Sequence, residues 1–398
     1  MRVRSRPRSL VQLLCSMLVV ASVSGVLATR ANPAPPVVGD SASGTSFGSA
    51  CAAMRPTSKE ARCYEKLLLA DIIASHNPAR ELPQLDAETR AAGGFIAGAC
   101  HPLMHAVGRA YARRVHLTLA RLQNVLPKSN DPGCSAGFGH GLLMYLGPQV
   151  LKAGPRGALR TCMRLSTRMQ QYACVHGLGH AYMRVYGDYL RFALPACRKL
   201  GRNAAPDCAQ GAFHDYWIAS TGRDATKTHA GLVTSPRVLC GVYRGTEVLA
   251  CWYRVFVERP PAHPVESAGG IRRLCAGLHD NQRAGCVAGA ALSAATEDPL
   301  SLVHLCAHLS GADVVNCLRA VPVENVDFSP VRQLGLIRSC SRLRGASRLG
   351  CDEWFGKTLA VVTNGAFSPR CARLRSAFDR AGCRIGVARI RAPLVTFA

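Results

Sequence analysis

Aromatic residues are scarce, with Phe, Trp and Tyr together making up 6% of the 398 residues. A β-sandwich leans on aromatic and β-branched faces, so this composition argues against one and favours small-residue packing between helices. Acidic residues are scarce as well: 24 stand against 49 lysines and arginines, for a net charge of +25. Lysine is rare in its turn, seven in all, so arginine carries most of the positive charge. No aromatic residues interleave with these charges as stacking platforms for bases, and no nucleic-acid partner is expected. After residue 28 no run is long and uncharged enough to cross a bilayer. No Ser-His-Asp order, nucleotide-binding glycine loop or CxxCH haem attachment is visible, although triads assemble in space and leave weak traces in sequence.

What is present begins with an address. Four arginines in MRVRSRPR precede the apolar run SLVQLLCSMLVVASVSGVLA, residues 9–28, with small residues before Thr29. Residues 1–28 read as a signal peptide and 29–50 as a flexible linker. The localisation expected is secreted or periplasmic; the alternative is a chain anchored by an uncleaved signal segment. A hydrophobic fraction of 48% excludes a disordered chain.

Nineteen cysteines dominate the rest, and removing Cys15 with the leader leaves an even 18. In an exported chain that count reads first as disulfides. Eight pairs share a spacing of 11 or 12: Cys51-Cys63, Cys162-Cys174, Cys197-Cys208, Cys240-Cys251, Cys275-Cys286, Cys306-Cys317, Cys340-Cys351 and Cys371-Cys383. From Cys174 the second members recur after 34, 43, 35, 31, 34 and 32 residues, the mark of an internal repeat. Each unit reads as C-x-x-L, a polar turn, then C-x-x-G or a similar small residue.

The expected fold is therefore all-α: a disulfide-stapled αα-hairpin repeat array, a curved solenoid. The first cysteine should end one helix, the polar segment make the turn, and the second cysteine open the next helix. Each staple across such a loop is worth on the order of 3 kcal/mol by chain entropy. Cys100 and Cys134 remain, 34 residues apart. Either they form a ninth bridge, Cys100-Cys134, or they are a free-thiol pair. Expected segments are an atypical N-terminal hairpin over 51–95, histidine-bearing helical repeats over 96–220 and further stapled repeats over 221–398. An insertion between Cys208 and Cys251 accounts for their longer interval.

The paired cysteines with their following small residue, as in Cys208–Gly211 and Cys286–Gly289, resemble the secreted cysteine-rich Sel1-like repeat proteins. The resemblance spans roughly 160–390 and implies stapled αα-hairpins. The cysteine spacing is wider than in that group, and it implies no activity.

Histidines fall at matching places in consecutive repeats. CSAGFGH, CVHGLGH and CAQGAFH repeat C-x-x-G-x-x-H and give His140, His180 and His214; CHPLMH adds His101 and His105, and His176 lies four before His180. The pairs His101/His105 and His176/His180 each share a helical face, a spacing that can grip one ion. The zinc-protease pattern itself fails, because Pro102 and Gly177 stand where its catalytic glutamate would be. The candidate metal ligands are thus His101, His105, His140, His176, His180 and His214, with Asp215, Tyr182 and Tyr216 as outer companions. Zinc, copper or iron would suit a nearly all-nitrogen set. Two other readings stand beside it: a stacked ladder of structural histidines, and metal-free acid–base chemistry. Convergence is the obstacle, since equivalent side chains on packed helices start about 10 Å apart at the backbone.

Function is expected to be exported metal binding, extending to a metal-dependent enzyme of unnamed substrate. The alternative is a non-enzymatic scaffold for an anionic polymer, a membrane surface or a protein partner.

Overall fold

The computed structural model describes residues 51–391 apart from 53, 55–56, 128–133, 221–234, 260–264, 295–298 and 321–329. The leader, the linker and most of the expected insertion lie outside the described residues. Helix is the only regular structure among the described residues, with no strand.

Three helices lead the chain: α1 (Thr57–Ala74), α2 (Pro78–Ala92) and α3 (Gly94–Arg114). Next come α4 (Cys134–Tyr145), α5 (Gly147–Met163), α6 (Arg168–Val185), α7 (Leu190–Arg198) and α8 (Ala205–Ser220). The array continues through α9 (Pro236–Gly241), α10 (Gly245–Glu258), α11 (Ala268–Leu274), α12 (Asp280–Ser293) and α13 (Pro299–Ala307). It closes with α14 (Ala312–Leu318), α15 (Pro330–Ser339), α16 (Gly345–Val362) and α17 (Ala377–Ala388).

All nine cysteine pairs are disulfide-bonded, Cys100–Cys134 included. Cys162, Cys197, Cys240 and Cys306 lie in the last turn of α5, α7, α9 and α13, and Cys275 directly follows α11. Cys340 and Cys371 sit in 3-10 turns at Cys340–Arg342 and Ser368–Arg373. The first cysteine therefore does end its helix. The second does not open the next one: Cys174 lies six residues inside α6, Cys251 six inside α10 and Cys351 six inside α16. At α6 and α17 a side-chain cap marks the earlier start, whereas α10 and α16 begin at Gly245 and Gly345 with none. At α6, Thr167 accepts from the Gln170 amide while the Gln170 side chain accepts from the Thr167 amide, a reciprocal cap. Ser376 caps α17 in a similar way. The staple thus joins the end of one helix to the second turn of its partner, across the connection. Cys100–Cys134 differs in kind, bridging α3 to α4.

The helices that carry second cysteines form an inner row. α3 packs on α4, α4 on α6, α6 on α8, and so on through α10, α12, α14 and α16 to α17. The row curls far enough for α16 to touch α6, where the Arg168 amide donates to Asn364 Oδ1 at 3.3 Å. Inner helices are consequently covered all round: Cys134–Met144 of α4 and Cys174–Met183 of α6 are buried without a break. The polar exceptions on α4 and α6 are the histidines and Ser135. Ser135 is held by Asp86 of α2, which accepts from both its amide and its hydroxyl and so fixes the start of α4.

Glycines set the spacing of this row. A Cβ on Gly137 would collide with the His101 carbonyl, one on Gly141 with that of His105, and one on Gly211 with that of His176. Further along, Gly289 lies against the Tyr253 carbonyl and Gly386 against that of Glu353. Backbone therefore meets backbone across the row, closer than the 8–10 Å of side-chain-mediated packing. Gly289→Ala is expected to lower stability by about 1–3 kcal/mol through overpacking. Gly335→Ala, on α15 with open space around it, should be neutral or slightly stabilising. Thermal unfolding of the two variants checks the contrast.

In the C-terminal repeats the row is joined by charge. Arg283 pairs with Asp313 at 2.6 Å and Arg348 with Asp379 at 2.6 Å, each linking an inner helix to the next. Beside the second pair Asp352 is fully buried. Burial and the neighbouring Asp379 carboxylate push it up to about 8, against the pull of Arg348. A carboxyl raised in the folded state binds its proton where the unfolded chain has lost it. Its contribution is intact below the unfolded value near 4 and falls as pH climbs towards 8. Asp352→Asn should therefore be more stable than the parent at pH 9, by on the order of 1–3 kcal/mol, with little difference at pH 4. Thermal unfolding across that pH range measures it.

Candidate metal centre

Four consecutive inner helices supply the six histidines. α3 carries His101 and His105, α4 His140, α6 His176 and His180, and α8 His214. Their rings do converge: neighbouring centroids lie 4.8–5.9 Å apart, and His101 of α3 reaches His214 of α8 at 5.9 Å. The 10 Å separation expected of side-chain-mediated packing is removed by the glycines. In each C-x-x-G-x-x-H unit the glycine seats against the preceding histidine-bearing helix: Gly137 on the His101 backbone, Gly177 on the Leu143 side chain and the His140 ring, and Gly211 on the His176 backbone. The residue that permits close approach and the residue that uses it belong to one motif.

Five of the rings are buried, His180 completely, and His101 stands at the edge of the cluster. Ring nitrogens meet across helices, His105 Nε2 to His140 Nδ1 at 3.3 Å and His176 Nε2 to His214 Nδ1 at 3.2 Å. Carboxylates lie on the far side: Asp215 Oδ1 faces His180 Nδ1 at 3.2 Å, and Glu258 Oε1 faces His214 Nε2 at 3.0 Å. His140 Nε2 and His176 Nδ1 are buried with no hydrogen-bond partner among the described residues.

Burial pushes His105, His140, His176 and His214 well below the usual histidine range. Neighbouring imidazoles and the Arg254 guanidinium push the same way at His140, His176 and His214, with the Ala173 carbonyl partly opposing this at His140. At His105 the added push comes from the other imidazoles and Arg109. These four rings are thus neutral near pH 7, the form in which imidazole offers a lone pair to a metal.

Of the expected outer companions, Asp215 takes its place on His180. Tyr182 is buried with its ring near Tyr186, and Tyr216 sets its ring edge-on to Trp217. Reading the sequence by repeat register missed Glu258, Arg254, Gln210 and Tyr172. Glu258 comes seven residues after Cys251, one beyond the histidine register. It extends the site into α10, past the boundary drawn at 220. Its sequence signal is the lone Arg254/Glu258 pair within the apolar stretch VLACWYRVFVE. Tyr172 lies 6.2 Å from His176 and donates to Gln210 Oε1 at 3.0 Å, and Arg254 donates to the same oxygen at 3.3 Å.

The arrangement includes histidine groups that could hold a metal ion. In two sets, His101/His105/His140 and His140/His176/His180, each residue offers one ligand atom and these lie within 4.8 Å of one another. Nitrogens bound to one tetrahedral zinc end about 3.3 Å apart, given bonds of 2.0–2.1 Å. Small ring rotations would close that difference. Ring-to-ring hydrogen bonds are also what a structural ladder would use, and the carboxylates would orient the rings in either case.

If a metal is held, Asp215 and Glu258 fix the tautomers of His180 and His214. Asp215→Asn and Glu258→Gln should then each weaken zinc affinity by about 10–100-fold with helicity unchanged. Competition against a chromophoric chelator measures this; unchanged affinity would assign both carboxylates to the fold alone.

No protein-family model matches this chain, and neither a curated protein nor a solved structure is similar to it.

Proposed function

We propose that this chain is an exported metal-binding repeat protein whose six histidines hold a transition metal, zinc, copper or iron. One observation carries the reading: six imidazoles from four helices share one buried volume, four of them held neutral. A hydrophobic core gains nothing from six clustered imidazoles, whose polar nitrogens are costly to bury unless satisfied. Export is supported by nine disulfides, which persist in oxidising compartments. Among the described residues no helix is long and apolar enough to cross a membrane.

An enzymatic role draws what support it has from a cleft of ≈ 360 Å³ with Leu159, Val175 and Val361 in its walls and Arg168, Arg202 and Asp207 among its polar lining. Its link to the cluster is Tyr172, which lines the cleft with its ring 6.2 Å from that of His176; none of the six histidines lines it. The rival reading, a scaffold for an anionic polymer or protein, is favoured by the excess of arginine over acid alone.

Metal analysis of the untagged, oxidised protein from an exporting host tests the proposal, alongside His140→Ala/His180→Ala. The expected result is a near-integer content of zinc, copper or iron, lost in the double variant while its circular dichroism holds. Absence of metal from the parent even after loading would overturn the reading. Salt-sensitive binding to an anionic polymer would then favour the scaffold.

A further inference from the structure

The geometry points to two metal ions in this cluster, with His140 between them. This inference rests on the metal-binding reading above and adds a second site to it. The six rings are too many for one ion held by a closed protein shell, which takes four ligands in a structural zinc site and three in a catalytic one. Two triplets share one ring: His101 and His105 of the α3 face group with His140 of α4, and His176 and His180 of the α6 face group with the same His140, while the ring of His105 also lies 4.8 Å from that of His180.

His140 belongs to both sets, and its two nitrogens lie in different surroundings. Nδ1 faces His105 Nε2 at 3.3 Å, on the side of the first set. Nε2 is buried and makes no hydrogen bond among the described residues, although the Ala173 carbonyl acts on the ring, and Nδ1 of His176 in the second set likewise makes none. Two nitrogens on opposite edges of one imidazole cannot serve a single ion, but each can serve its own. The first ion would take His101, His105 and His140 Nδ1. The second would take His140 Nε2, His176 and His180, with His214 adjacent to both α6 rings. Coordination at both edges requires the shared ring to release its one N–H proton to solvent. The resulting anion sits between the two cations and offsets their repulsion. Asp215 behind His180 and Glu258 behind His214 add negative charge on the second side, where Arg254, 3.7 Å from Glu258, offsets part of it; Arg109 acts on His105 of the first set.

The division also explains why the histidines come as two i, i+4 pairs and not as one ring per repeat. A ladder needs one imidazole on each helix. Two three-nitrogen sets built on a shared ring need a pair on each side of it.

Zinc titration of the metal-stripped, oxidised full-length protein decides the matter, followed by calorimetry and by metal analysis after gel filtration. Two equivalents are expected in the parent. His101→Ala/His105→Ala and His176→Ala/His180→Ala should each retain one, with intact circular dichroism and no free thiols. One equivalent in the parent would overturn the two-ion inference and leave the metal-binding proposal standing. None would overturn both. If either paired variant binds no zinc while folded, the ligands act as a single set and the two-ion reading is wrong. A paired variant that does not fold leaves the decision to the parent's stoichiometry, checked by cobalt(II) titration, where absorbance should rise to a break at two equivalents.

Discussion

Contact between backbones, made possible by glycine, governs this molecule. Where Gly137, Gly141, Gly179 and Gly211 face a neighbouring helix, the atoms they meet are chiefly carbonyl oxygens and amides of that helix. Such helices come closer than helices separated by leucines, and they leave little room for large side chains between them. The curl of the inner row follows, since short spacing at the inner face and larger residues outside bend a stack of hairpins. So does the depth of burial: a row that curls until α16 meets α6 encloses its own helices on every side. Histidine positions that would be solvated on an open solenoid become interior.

That economy of side chains has a cost in stability, which the disulfides offset. Helices packed through glycine and alanine bury less apolar area per residue than leucine-rich ones, and glycine within a helix loses backbone entropy on folding. Nine cross-links restrict the unfolded chain instead, at about 3 kcal/mol for each short loop in the entropic account. The staples lie across the hairpin connections, between outer and inner helices, so they leave the inner row free for side-chain chemistry. The single bridge within that row, Cys100–Cys134, joins α3 to α4, the two helices that bear His101, His105 and His140. It fixes the register of those helices at the residue next to the first histidine, His101.

Much of this was legible in the sequence, and the limits have physical causes. Periodic cysteines marked the hairpins because a staple needs a fixed number of residues to cross a turn and return. The register of histidines marked a shared face because a helix repeats its faces every few residues. Helix starts were placed late, since caps such as Thr167 with Gln170 lie several residues before the cysteine and carry only a local signal. Convergence of the rings could not be read from spacing alone, as it depends on the distance between helices. That distance is set by what each glycine meets on its neighbour. Glu258 escaped because it sits one residue out of register on a helix with no histidine; its charge pair with Arg254 in an apolar stretch was a trace of it, and its buried contact with His214 ties it to the cluster. Tyr182 and Tyr216 were nominated by proximity in sequence. A helix turns about 100° per residue, so Asp215, one place after His214, faces His180 instead, while Tyr182 and Tyr216 set their rings beside Tyr186 and Trp217.

The same inner row carries two kinds of polar interior. In its first half neutral imidazoles stack from helix to helix, backed by two carboxylates. In its second half, arginine–aspartate pairs link successive helices just ahead of the second cysteine, and Asp352 is buried beside one of them. These pairs remain partly exposed and neutralise each other, so their side chains are fully accounted for by partners in the fold. Both halves also hold buried polar atoms with no hydrogen bond among the described residues: nitrogens of His140 and His176 in the first, and the carboxyl oxygens of Asp352 in the second. Natural folds seldom leave buried polar atoms unsatisfied. The two halves built on one repeat therefore differ in the kind of polarity they bury: six clustered imidazoles on α3 to α8, against arginine–aspartate pairs and one buried carboxyl on α12 to α17.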